Sequence, residues 1–174
     1  MAHPRVFLDT NVIIECFRIG VWSELAKGHC LETVDEVVTE AMTGETGHRA
    51  RVAVDRAVLL DGLSKPPHVV IKRERDRLLL QYPNGPLLDP GERDLFAYLN
   101  AHELPLAPFI TIGTADKGAI AFSHLPEWLD QLISLEELLE SAKTSRAKLA
   151  LLGPQHRASF LSQVRLKVRM GVIP

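Results

Sequence analysis

Short apolar runs of strand length recur along the chain, and most give way to a segment with helical spacing. The runs fall at 5–8 (RVFL), 30–34 (CLETV), 68–72 (HVVIK), 109–112 (FITI) and, more weakly, 129–133 (LDQLI). Apolar positions spaced three and four apart predict helices over 11–17, 35–42, 48–60, 73–81, 90–102, 117–124, 135–143 and 154–170. Gly20 is placed to stop the first helix, and Thr33-Val34-Asp35-Glu36 has the spacing of a capping box opening the second. Turn chemistry separates the segments: GETG at 44–47, SKPP at 64–67, YPNGP at 82–86 and LGP at 152–154. Strands alternating with helices imply crossover units. The expected fold is therefore a three-layer α/β/α domain with a central parallel sheet of about five strands. Residues 1–140 would form that domain. Residues 141–174 would form a helical extension, packed on it or projecting from it.

Composition narrows the class. The 174 residues suffice for one domain with a sizeable core. With 46% hydrophobic and 24% charged residues, the chain reads as globular rather than disordered or fibrous. No apolar stretch reaches the roughly 18 residues of a membrane span, and the N-terminal residues lack the pattern of a secretory signal. Cys16 and Cys30 stand in no CxxC spacing and the seven histidines form no HxxxH pair, which fits reduced thiols and a cytoplasmic protein. Charge is unevenly spread. No acid follows Glu140, whereas Lys143, Arg146, Lys148, Arg157, Arg165, Lys167 and Arg169 do, leaving thirteen basic against twenty-two acidic side chains in 1–140. An acidic body suits cations and a basic tail suits a polyanion; the plainer alternative is a solvated helix that serves solubility.

In a parallel sheet, ligands bind beyond the carboxyl ends of the strands, where strand order reverses. Acids just after strands are therefore the informative ones. Asp9 follows the first run directly, and Asp116 closely follows FITI. If those two strands are neighbours across the switch point, the carboxylates face each other; alternatively each caps the helix it precedes. Asp89-Pro90-Gly91-Glu92 is good capping chemistry, but Leu95, Phe96 and Leu99 follow Glu92 at i+3, i+4 and i+7, which sets Glu92 on the apolar stripe. Asp94 points away from that stripe. Spacing leaves both open as the third acid, with Glu92 favoured because a buried carboxylate needs a partner. Glu40 stands a turn too late to cap its helix and borders the apolar face of Val34, Val37, Val38 and Ala41.

The series VFLDTN, VVTEA, GERDLFAYL and ITIGTAD resembles the four acidic motifs of PIN-domain ribonucleases, among them the toxin nucleases of VapBC-type pairs, over about residues 4–135. The resemblance assigns catalytic and metal-binding roles to Asp9, Glu40, Glu92 and Asp116. Thr10, Asn11, Asp94 and Thr114 would support them. Two departures weaken the toxin assignment. The aromatic residue that often follows T-x-D is missing, with Gly118-Ala119-Ile120 in its place, and the basic tail exceeds the compact toxin length. The resemblance further implies RNA as substrate, homodimerisation and, for a toxin, an antitoxin whose peptide covers the cleft.

Clustered carboxylates repel one another and raise their pKa values unless cations neutralise them. Hard oxygen ligands without His or Cys suit Mg²⁺ or Mn²⁺ and phosphodiester hydrolysis with no covalent intermediate. Arg73, Arg75 and Arg77, with Arg165, Lys167 and Arg169 of the tail, are candidates for holding phosphates. The rival from another class is a catalytically weak PIN-like module that binds RNA or protein. A haloacid-dehalogenase-like phosphatase would want an aspartate where Asn11 stands, and a nucleotide-binding fold would want a glycine-rich loop after the first strand.

Overall fold

A computed structural model describes residues 4–43, 51–103 and 106–173. In chain order they form β1 (Arg5–Leu8), α1 (Thr10–Arg18), α2 (Trp22–Gly28), β2 (Cys30–Glu32), α3 (Asp35–Thr43), α4 (Arg56–Asp61), α5 (Lys72–Gln81) and α6 (Pro90–His102). There follow β3 (Ile110–Gly113), α7 (Lys117–Phe122), β4 (Leu132–Ile133), α8 (Leu135–Ser141), α9 (Arg146–Leu149) and α10 (Ala158–Arg169). The strands make one all-parallel sheet in the order β2-β1-β3-β4, flanked by helices. Val6, Phe7 and Leu8 are buried, as an interior parallel strand covered on both faces requires. Chain order reverses between β1 and β3, which pair in register from Arg5↔Ile110 to Leu8↔Gly113. That register sets Asp9 and Thr114 side by side, one residue past the ends of the two strands.

Among the described residues the sheet has four strands rather than five. The run at 68–72 contributes only an isolated parallel bridge, Val34↔His68, before α5 begins at Lys72. Val70 is buried while Val69 and Ile71 stand exposed, and the pairing stops because the partner segment turns into α3 at Asp35, directly after Val34. The helix expected over 48–60 begins only at Arg56, where the Asp55 side chain accepts from Val58 N (3.0 Å). Positions 48–50 and the 44–47 turn lie outside the described residues. The run at 129–133 is a 3-10 turn followed by the two residues of β4. Gly20 ends α1 with φ +67°, and the seven-residue α2 that follows, with Trp22 and Leu25 buried, is too short to stand out as a period.

The C-terminal residues pack on the body. Leu152, Leu161, Val164 and Val168 are buried in the same apolar cluster as the sheet. In place of one helix over 154–170 there is a 3-10 turn, Pro154–His156, and then α10. Among the described residues, no helix is long and apolar enough to cross a membrane.

Candidate active site

Asp9 sits where β1 meets α1. It does both things the sequence left open. As N-cap of α1 it accepts from Asn11 N (2.6 Å), and its second oxygen accepts from the Thr114 hydroxyl beyond β3 (2.6 Å). Thr114 Oγ1 in turn accepts from Asp116 N (3.2 Å), while Asp116 caps α7 by accepting from Gly118 N (2.6 Å) and Ala119 N (3.2 Å). Helix capping and sheet topology thus place Asp9 and Asp116 on the two sides of the switch point.

Glu40 reaches the same region from α3. Its carboxylate accepts from the Thr10 hydroxyl (2.7 Å) and from Gly91 N in the first turn of α6 (2.8 Å). A Cβ at Gly91 would stand 2.4 Å from Glu40 Oε2, so any larger residue there would push the Glu40 carboxylate out of its place on Gly91 N. The next residue, Glu92, is 5% exposed; Oε2 accepts from Asp89 N (3.2 Å), and Oε1 is buried with no hydrogen-bond partner. Asp9, Thr10, Asn11, Glu40, Asp89 and Glu92 line a cleft of about 300 Å³. Asp116 lines an adjoining cavity that shares Asn11 with this cleft.

Burial, together with the charges of Asp116 and Glu40, raises the Asp9 carboxyl to about 6 against the bonds from Thr114 and Asn11. Burial, then Asp9 and Asp116, raises Glu92 further, to about 9. Both carboxylates are poor in positive charge. The cleft lining offers only oxygens and an amide, with no His or Cys, which is the donor chemistry of Mg²⁺ or Mn²⁺ rather than zinc. Among the described residues, however, no three His, Cys, Asp or Glu side chains converge as a ready-made metal cage. One oxygen of Glu92, Oε1, is buried without a hydrogen bond and so is left open to a cation.

Compared with known protein families, curated proteins and solved structures, the chain matches none. The geometry must therefore carry the functional reading.

Asp94 is not a surface residue and not part of this cleft. It is 1% exposed and takes a two-pronged bond from Arg75 (2.7 and 2.6 Å), with Arg93 at 3.4 Å. That pairing commits Arg75 to joining α5 and α6. Arg73 and Arg77 make no ion pair among the described residues and line a groove of about 750 Å³ beside α5. In the tail, Arg165 donates to Leu132 O (2.7 Å) and Arg169 to Asp130 (2.5 Å), leaving Lys167 exposed without an ion pair among the described residues. Much of the basic tail is thus spent on the body, with Lys148 on Glu24 (2.7 Å) and Arg157 on Glu136 (3.1 Å).

Sequence reading missed Gly91 and the two residues Gln155 and His156, which line the cavity shared with Asp116. The GER spacing beside an acid hints at the first. Nothing local marks the other two, since they meet α1 across more than a hundred residues.

Proposed function

We propose that the chain is a metal-dependent endoribonuclease with a PIN-like, three-layer α/β/α arrangement, and that Asp9, Glu40, Glu92 and Asp116 form its site. The observation that carries this reading is Glu92 Oε1, a buried carboxylate oxygen without a partner, beside the equally buried Asp9. Uncompensated buried carboxylates are costly, and a hard divalent cation is the partner their chemistry fits. Asp9 and Glu92 would hold it directly, and Glu40 and Asp116 directly or through water. When bound, the cation supplies positive charge to the phosphoryl oxygens and a more acidic water for in-line attack. The chain's own part is positional. Thr114 and Asn11 fix the Asp9 carboxylate, and Thr10 and Gly91 fix that of Glu40. A toxin role with a cognate antitoxin, and a homodimeric state, belong to this proposal as properties the resemblance implies.

One observation favours the alternative, a PIN-like module that binds RNA or protein with little turnover: the carboxylates are largely satisfied internally and form no ready-made cage. Incubating a mixed RNA pool with Mg²⁺ or Mn²⁺, against EDTA, separates the two readings. Metal-dependent cutting should fall by roughly two orders of magnitude or more in Asp9→Asn, beyond the 10–100-fold typical of an outer-shell partner. RNA retained on a filter without cutting would instead establish the binding module.

A further inference from the structure

A row of stacked rings runs from the sheet outward and ends in an open one. His68 lies near Phe7 (ring centroids 6.0 Å apart), Tyr98 on His68 (4.2 Å, planes 16° apart) and His102 on Tyr98 (4.7 Å, 32°). The His102 Nε2 is bonded to Glu74 of α5, which holds the ring by its edge and leaves its faces to stacking. Tyr98 covers one side, yet the His102 side chain is still 47% exposed. His102 lines the groove of about 750 Å³ beside α5, together with Ile71, Arg73, Arg77 and Leu80. Arg73, Arg77 and Leu80 stand at i, i+4 and i+7, so they share one stripe of that helix. The acids of the groove are engaged: Glu74 by His102 and Ile71 N (3.0 Å), and Asp76 by Lys72 Nζ (2.6 Å). Arg73 and Arg77 make no ion pair among the described residues, so the uncompensated charge is positive.

We propose that this groove holds single-stranded RNA, with one base stacked on His102 and the flanking phosphates on Arg73 and Arg77. The inference rests on RNA being the ligand, as in the ribonuclease reading, and names a binding surface outside the acidic cleft. Single strands are gripped by a positive groove joined to ring faces on which unpaired bases stack, and both parts are present here. The exposed Ile71 and Leu80 offer apolar contact to the same base. A volume near 750 Å³ falls within the roughly 300–1,000 Å³ that take a drug-sized ligand, so a nucleotide has room. Position suits the task as well. His102 and Glu92 stand on one helix, about 15 Å apart along its axis, so a strand held in the groove starts close to the acidic cleft. An acidic protein segment would match the arginines and Leu80, but it gains nothing from an open ring face.

The test is equilibrium binding in EDTA, read by fluorescence anisotropy. The probes are a short single-stranded RNA of mixed sequence and a matching abasic strand, which keeps the phosphates and lacks the bases. The wild type should prefer the base-bearing strand. His102→Gln loses the ring, and it should weaken that strand about tenfold while leaving the abasic strand unchanged. His102→Phe keeps a ring without the bond to Glu74, and it should bind like the wild type. Arg73→Ala and Arg77→Ala should weaken both strands, each lowering the salt slope by about 0.7. Equal binding of the two strands by the wild type, or wild-type binding by His102→Gln, overturns the proposal. A wild type that ignores both strands but binds a labelled acidic amphipathic peptide through Arg77 overturns it in favour of a protein partner. Cleavage of the base-bearing strand is scored separately with Mg²⁺. Binding through His102 with no cutting would sink the nuclease reading and leave the groove standing. Cutting with no dependence of binding on His102 would do the reverse.

Discussion

Glu92 concentrates the chemistry of the site in one side chain. Burial and the neighbouring Asp9 and Asp116 raise its folded-state pKa from its ordinary 4.5 to about 9. The sign follows from linkage. A carboxyl whose folded pKa is raised adds stability when protonated in both states, and that stability is lost as pH climbs from about 4.5 through about 9. Metal-free protein should therefore melt at progressively lower temperature across that window. Glu92→Gln should flatten the slope and, because glutamine takes up no proton on folding, stabilise the metal-free protein at neutral pH by roughly 1–3 kcal/mol. Melting curves at several pH values, with and without Mg²⁺, measure both effects. A variant that melts below the wild type at neutral pH would show that Glu92 is needed for packing rather than held at a cost.

Among the elements, α5 and α6 show how one residue changes its meaning with its neighbours. KRERDR reads as a phosphate-binding run, but Arg75 is engaged by the buried Asp94, and only Arg73 and Arg77 of the three stay clear of ion pairs among the described residues. Removing Arg75 leaves a buried carboxylate with only the more distant Arg93 for company. Breaking a fully buried pair costs about 3–5 kcal/mol; Arg75 is a third exposed, so Arg75→Met should cost roughly 2 kcal/mol in urea unfolding. Arg73→Ala and Arg77→Ala should leave stability within about 0.5 kcal/mol and, if these residues hold phosphates, weaken RNA retention and its salt dependence. Loss of RNA retention in Arg75→Met at full stability would contradict this division of labour.

At the scale of the molecule, the C-terminal residues share the body's buried apolar cluster. Leu161, 2% exposed, sits in the same cluster as Phe7, Ile112 and Leu138. Leu161→Ala should cost about 2–5 kcal/mol as one cooperative transition. A separate early transition confined to the C-terminal helices would mean that they dock on an independently stable body.

The sequence by itself determined much of the frame. Periodicity located β1, β2, α3, α5 and α6 within a few residues, because local spacing dictates which face is buried. Capping chemistry foretold Asp9 and Asp116 at helix starts, since an N-cap acts on its own next turn. Helical phase separated Glu92 from Asp94 in direction, though it could not foresee that Asp94 would also be buried, because burial there depends on an arginine nineteen residues away. The tertiary structure alone decided that β1 and β3 are neighbours, that the Glu40 carboxylate arrives against Gly91, and that the run at 68–72 makes only one bridge because its partner turns into α3. It alone also laid Gln155 and His156 over α1. Those facts depend on contacts between residues far apart in the chain, which the pattern along it does not encode.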